Sequence, residues 1–297
     1  MFKDKVKAVL SWLSLFAQAI TTLVIVVVSS RKVHVKRALA KLSDKPIIIV
    51  GNGPSAKTDL PNVKSLRGLE DFSLCAVNNF AMSPEFEELR PELYVLADPN
   101  FWLAQVSADL AESRESLVDA MNYKVTWELI LCLPFEAKGC SMVSDIVNDK
   151  ISVSYFNRTP VSGLPRFCQI LIKRQLGIYP AYNVLIPAIH IALWAKPSRL
   201  ILIGADHSWH EEISMSESGH VLVEQKHFYV EKTSPKTVDK PSGEFSIGEL
   251  FARWGCVFIT YRYLNDLAVS EGVKIINCSS KSYIDAFERS SISDVFR

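Results

Sequence analysis

A chain of 297 residues with 33 basic and 32 acidic side chains has a net charge of +1, so it carries no overall basic field with which to hold nucleic acid. A hydrophobic content of 48% against 22% charged excludes a disordered chain and is enough for one large α/β domain with an appendage. Six cysteines (Cys75, Cys132, Cys140, Cys168, Cys256 and Cys278) lack CxxC or Cys/His spacing, which argues against a zinc site or a disulfide framework and fits a reducing compartment.

Residues 8–30 contain no charge and include the run Leu23-Val24-Ile25-Val26-Val27-Val28, a length that can cross a bilayer core. Lys3, Lys5 and Lys7 precede the run, and Arg31, Lys32, Lys36, Arg37 and Lys41 follow it. The larger cluster is C-terminal, so the positive-inside rule places the rest of the chain in the cytoplasm, at the inner membrane. Two other readings compete. A cleaved signal peptide would need a better cleavage site than Val28-Ser29-Ser30 followed at once by Arg31-Lys32. A helix lying in the membrane plane fits the dilution of the run by Ser11, Ser14, Gln18, Thr21 and Thr22. The expected division is a membrane anchor with a basic juxtamembrane segment over residues 1–43, then a nucleotide-binding catalytic domain over 44–297.

That domain opens with Ile47-Ile48-Ile49-Val50, a short apolar run of the kind found in a parallel strand covered on both faces. It enters Gly51-Asn52-Gly53-Pro54-Ser55, where the glycines permit close backbone approach and Pro54 and Ser55 can open a helix. Such a strand, turn and helix start aim N–H groups at a phosphate, although the same residues also make an ordinary βα turn. The turn is neither GxGxxG nor a P-loop.

Strands over 72–77 and 94–97 follow, ending in Asn78-Asn79-Phe80 and Asp98-Pro99-Asn100. Three successive strands therefore finish on polar residues. In an open parallel sheet those ends line a ligand crevice, although Asn and Asp also favour turns generally. A helix is expected over 101–121, then strands over 129–134 and 151–156. The stretch 157–177 is mixed, with a basic tint from Arg158, Arg166, Lys173 and Arg174. Residues 182–195 read as a buried helix capped near Asn183, in which His190 is a packed core histidine, and 199–204 as a strand leading into Gly204-Ala205-Asp206. The polar stretch 207–245 has no clear period and reads as a lid-like loop carrying His227-Phe228-Tyr229. An amphipathic helix over 248–271, a strand over 274–280 and a terminal turn or short helix over 283–289 complete the chain.

The Gly51–Ser55 turn, Asn78-Asn79-Phe80, Asp98-Pro99 and the unit from Asn183 through His190 to Gly204-Ala205-Asp206 resemble, in that order, two related groups. One is the bacterial lipooligosaccharide sialyltransferases. The other is the 6-hydroxymethylpterin diphosphokinase MptE-like set, which includes flagellin-glycosylating accessory factors. The resemblance implies a Rossmann-like, doubly wound, mostly parallel sheet (a GT-A-like variant) behind an N-terminal membrane helix.

The sialyltransferase likeness implies that Asn52 contacts the nucleotide, and that Asn78, Asn79 and Asp98 line a nucleotide-sugar pocket, with Asp98 standing where that group has Asn. Asn183 stands near the donor phosphate, in place of Ser-Gly, and Asp206 matches the Gly-x-Asp. It implies His227 as general base, with Gly51, Gly53, Ser55 and Tyr229 as further contacts. Histidine suits a base near neutral pH, and glycine-turn N–H groups, Ser55 or Tyr229 could stabilise the departing phosphate. The chain has no Asp-x-Asp, so the expected reaction is metal-independent, inverting glycosyl transfer with no cofactor beyond the nucleotide-sugar co-substrate.

The expected partners are a CMP-linked or similar donor, a lipid-linked or lipooligosaccharide acceptor, the membrane, and a second copy of the chain. The alternatives are a Mg²⁺-dependent diphosphokinase acting from ATP on a pterin alcohol, with Asp98 and Asp206 as ligands, and a non-catalytic nucleotide-binding scaffold. A metal site at His207, His210, Asp206 and Glu211 has poor spacing for a helical pair.

Overall fold

Strand β1 (Ile47–Val50) is buried at every residue because it runs through the middle of a sheet covered on both faces. The computed structural model of the protein describes residues 2–229, 233–240 and 243–297. Helix α1 spans Phe2–Ser29 and α2 Val35–Leu39. After β1 come α3 (Ala56–Leu66), β2 (Ser73–Val77), α4 (Glu85–Leu89), β3 (Leu93–Val95), α5 (Ala108–Lys124), β4 (Leu129–Pro134), α6 (Ser141–Asp145) and β5 (Ile151–Phe156). Helices α7 (Pro165–Lys173) and α8 (Leu185–Trp194) lead to β6 (Arg199–Ile203). A small lobe follows, with β7 (Ile213–Met215), β8 (Val221–Val223), β9 (Lys236–Thr237), β10 (Asp239–Lys240) and β11 (Gly243–Glu244). Helix α9 (Ile247–Ser270), β12 (Lys274–Asn277), β13 (Glu288–Arg289) and α10 (Ile292–Val295) end the chain.

The main sheet has eight strands in the order β13-β12-β6-β1-β2-β3-β4-β5, and every pairing in it is parallel. The strand runs alternate between two cores. Ile47, Ile49, Leu200 and Leu202 face one layer with α2, α7, α8 and α9. Ile48, Val50, Ile201 and Ile203 face the other with α3, α4, α5 and α10. All ten residues of α8 are buried, and each fully buried Ile or Leu contributes about 1.5–3 kcal/mol. The α/β, Rossmann-like expectation holds. The chain builds outward from β1 to β5 on one side, then returns to place β6 on the other side of β1. That reversal puts the topological switch between β1 and β6, where open parallel sheets take their ligands.

Three local expectations differ from the structure. Helix α5 starts at Ala108, not 101, because Asp98 first caps a short turn (Pro99–Phe101) by accepting from the Asn100 N–H. Residues 283–289 include a strand, β13, which pairs with β12. The lid-like stretch 207–245 contains short antiparallel strands, held not by any period of their own but by packing of Ile213, Val221, Val223 and Val238 on Leu250 and Trp254 of α9. Residues 230–232 and 241–242 of that stretch, and residue 1 of the expected anchor, lie outside the described residues.

Candidate functional site

The glycine turn after β1 is built against the turn after β6. The Gly51 N–H donates to the Ile203 carbonyl (2.8 Å) and the Gly53 N–H to the Gly204 carbonyl (2.9 Å). The Ser55 N–H and hydroxyl both donate to the Asp206 carboxylate (3.1 and 2.6 Å). Added Cβ atoms explain the glycines: at Gly51 one would lie 2.4 Å from the Gly204 carbonyl oxygen, and at Gly204, where φ is +61°, one would lie 2.7 Å from the Gly51 oxygen. The N–H groups of Gly51, Gly53 and Ser55, expected to face a phosphate, are thus spent on protein acceptors, because two turns must pass each other at van der Waals distance. Asp59, one helical turn after Ser55, locks the same seam by accepting from the Gly204 N–H (3.0 Å) and the Ser280 N–H (2.9 Å). Burial raises the Asp206 carboxyl above its ordinary range, against the lowering effect of the Ser55 hydrogen bonds.

What the seam leaves free is Asn52 and the neighbouring strand ends. Six buried side-chain nitrogen or oxygen atoms among the described residues have no partner. Five of them, Asn52 Oδ1, Asn78 Oδ1, Asn79 Oδ1, Ser83 Oγ and Arg114 Nε, belong to the loops after β1 and β2 or to α5 beside them. Burying such a group unpaired costs about 1–3 kcal/mol, and their concentration at one rim is something the fold's own hydrogen bonding does not account for. The backbone there is deliberate. Asn78 adopts φ +51°, and the buried Tyr94 hydroxyl holds its turn by donating to the Asn78 carbonyl while accepting from the Ala81 N–H (2.9 Å). The Asn79 amide donates to Ser113 of α5 (3.2 Å). At the β3 end Asp98 is exposed and has one oxygen free, and the Arg158 guanidinium reaches the Ala97 carbonyl (3.3 Å) while lying 5.4 Å over the Trp102 ring.

The 227–229 segment covers this rim. The Phe228 N–H donates to the Asn52 carbonyl (3.1 Å), and its ring lies 5.8 Å from that of Phe80. His227 stacks on Tyr229 at 5.4 Å. Burial lowers the His227 pKa, against a raising hydrogen bond to the Asn52 backbone, which favours the neutral ring. Burial raises the Tyr229 hydroxyl well above its usual value.

Asn183 is used differently from the expectation. Its Oδ1 caps α8 by accepting from the Ile186 N–H (3.1 Å), and its amide donates to the Tyr261 hydroxyl (2.9 Å) and approaches His207 Nε2 (3.1 Å). A short side chain with both ends occupied by the fold has nothing left for a phosphate. His207 is buried, with its pKa lowered to about 3, and is the acceptor at the centre of this knot. His190 is likewise a core group, accepting from the Tyr179 N–H (3.1 Å).

A family model described as 6-hydroxymethylpterin diphosphokinase MptE-like matches residues 25–212, from the end of α1 to just past Asp206. The chain belongs to this family. No curated protein matches it. The MptE-like match takes in the turns after β1, β2 and β3, the Asn183–His207 knot and Asp206, and it stops before His227 and Tyr229.

Among the described residues no group of three His, Cys, Asp or Glu side chains could hold a metal ion. Both carboxylates of the seam are turned into the fold and engaged by N–H and O–H donors, and Asp206 is buried, which makes it a poor Mg²⁺ ligand. Sequence reasoning missed Ser83 and Arg114 at the rim and Asp59 in the seam, and noted Arg158 only for its charge. The logic that picked Asp98 after β3 applies equally to Arg158, two residues after β5. Asp59 had a signal as well: it lies four positions after Ser55, on the same helix face.

Proposed function

We propose that this MptE-like protein is a membrane-associated transferase. It binds a nucleotide-activated donor at the carboxyl ends of β1, β2 and β3 and passes the activated group to an acceptor at the inner face of the membrane. The observation that carries this reading is the set of unpaired amide oxygens of Asn52, Asn78 and Asn79 beneath the 227–229 segment. Acceptors call for donors, and nucleobase amino groups and sugar hydroxyls supply them.

The transfer we favour is glycosyl transfer with inversion, from a CMP-linked or related sugar to a lipid-linked or lipooligosaccharide acceptor. The acceptor hydroxyl oxygen attacks the anomeric carbon and its proton passes to the neutral His227 ring. The bond from that carbon to the phosphate oxygen breaks, and its electron pair leaves with the nucleotide phosphate. A desolvated neutral imidazole beside the rim suits the base. We assign Arg158, which reaches the β3 end, and Tyr229, stacked on His227, to meet the leaving-group charge. Asp98 at the rim touches the donor sugar. A homo-oligomer would set several sites against one membrane patch.

The family description favours a second reading, transfer of a diphosphate from ATP to a pterin alcohol. The pterin ring is also rich in N–H donors for the three amides. This reaction draws on Mg²⁺ to neutralise the phosphates, and Asp98 is the rim carboxylate with an oxygen to offer it.

Turnover of the purified full chain separates them. Release of CMP or UDP from nucleotide sugars in the presence of EDTA supports glycosyl transfer. Mg²⁺-dependent formation of AMP from ATP with 6-hydroxymethylpterin replaces it with the second reading. Ligand-raised melting temperatures without turnover by either route overturn both and leave a nucleotide-binding scaffold.

A further inference from the structure

Helix α1 is long and apolar enough to cross a membrane, with a mean hydropathy of 2.0 over its most apolar 18 residues. Its surface is nevertheless divided into three stripes. Leu15, Ala19, Thr22 and Val26, spaced by three or four, dock against the loop before α7. There the Thr22 hydroxyl donates to the Ser162 carbonyl (2.9 Å) and accepts from the Ser162 N–H (3.1 Å). At Gly163, φ +114°, a Cβ would fall 2.6 Å from the Ala19 nitrogen, so helix and loop are in backbone contact. A second stripe is exposed and apolar: Val9, Leu13, Phe16, Ile20, Val24 and Val27. A third is exposed and polar from Lys3 to Thr21 (Lys3, Lys7, Ser11, Ser14, Gln18 and Thr21) and turns apolar in the last two turns, at Ile25 and Val28.

From these stripes we propose that α1 lies in the plane of the membrane surface instead of crossing it, with the Val9–Val27 stripe in the acyl region of an anionic bilayer and the docked domain beside it at the headgroups. Depth decides between the two orientations. Ala19 precedes Ser29 by ten residues, about 15 Å of helix at 1.5 Å per residue, which is half of a hydrocarbon core about 30 Å thick. An upright α1 would therefore carry the irregular loop at Ser162 and Gly163, and exposed Arg166 three residues on, to the middle of the bilayer. Lipid-exposed irregular backbone has no place there, because its N–H and C=O groups find no partners. Lying flat, the same helix keeps its polar stripe in water, and the stacked Trp12 and Phe16 rings (5.4 Å) sit at interfacial depth. Lys3, Lys5 and Lys7 at one end and Arg31 and Lys32 at the other meet anionic headgroups along the same surface. This inference does not depend on which transfer reaction the site performs.

Cysteine labelling of the full chain tests it, in a background with partly exposed Cys140 and exposed Cys256 changed to serine. Gln18→Cys, Val24→Cys and Lys3→Cys are each placed in vesicles of phosphatidylcholine and phosphatidylglycerol and treated with a membrane-impermeant maleimide. In-plane binding predicts that Gln18→Cys and Lys3→Cys react at least about tenfold faster than Val24→Cys, and that Val24→Cys becomes reactive when vesicles are omitted. Protection of both Gln18→Cys and Val24→Cys, with Lys3→Cys reached only on vesicle lysis, means a spanning helix and overturns the proposal. Val24→Cys protected equally without lipid means that a second copy covers the stripe. A purified chain that begins after Ser29 means a cleaved signal. Either result also overturns it.

Discussion

Gly53 lies directly against Asp206: a Cβ on Gly53 would stand 2.0 Å from the carboxylate Oδ2 and 2.7 Å from the Gly204 carbonyl oxygen. Two turns separated by a hundred and fifty residues of chain are therefore packed as one unit, and the glycine is a packing requirement before it is a ligand contact. Gly53→Ala should lose about 3 kcal/mol, the upper end of ordinary overpacking, because the obstructing atoms are a buried carboxylate and backbone. Gly255→Ala makes the opposite control. It lies in α9 with open space around it, and should gain up to about 1 kcal/mol from helix propensity. Urea denaturation of both variants checks the pair, and equal midpoints would refute the seam as described.

Asp206 gives the seam a pH dependence. Its carboxyl is raised in the folded state, first by burial, so the folded chain holds that proton more tightly than the unfolded chain. For this group stability is fully present below the unfolded value, about 3.9, and is lost as pH rises through the folded value. Relative to the wild type, Asp206→Asn should therefore gain ground as pH rises from 4.5 to 7.5. Chemical denaturation at the two values measures it, and a difference that does not change with pH would show that the carboxyl is not perturbed.

Tyr94 supports the rim from below. Tyr94→Phe strands the Ala81 N–H and releases the Asn78 carbonyl inside a core, at a cost of about 1–3 kcal/mol. The variant should also weaken donor binding, since Asn78 loses what holds its left-handed turn. A thermal shift with and without nucleotide ligand reads both effects. Lost stability with unchanged binding would separate Asn78 from the site.

His227 and Asn52 should divide rate from affinity. His227→Gln is expected to cut kcat by about 10²–10⁴ with KM for the donor little changed. In the wild type the acid limb of the pH–rate profile should lie below the usual histidine value of about 6.5, because burial favours the neutral ring. Asn52→Ala should instead weaken donor binding about tenfold, the equivalent of one hydrogen bond of about 1.4 kcal/mol. An unchanged kcat in His227→Gln would remove the base from that residue.

Strand identity was legible wherever burial is complete. Ile47-Ile48-Ile49-Val50 and Leu200-Ile201-Leu202-Ile203 can be nothing else between their turns, and each is buried throughout the run. The Asn183 cap and the core role of His190 were legible for the same reason, since both follow from local pattern. Strands β7–β11 were not, because two or three residues are too few to show a period and their order comes from α9.

By itself, then, the sequence determined the parallel strands, the glycine turn and an apolar N-terminal helix, all of which follow from the side chains of neighbouring residues. Tertiary structure alone decided what those features face. Ser55 meets Asp206 across 151 positions, so the turn's donors are consumed within the fold, and of the turn's side chains only Asn52 keeps a buried oxygen without a partner. Thr22 meets Ser162 across 140, which takes one stripe of α1 away from solvent and lipid. Hydrogen-bonding capacity is finite, and which partner uses it is set by atoms that no local pattern brings together.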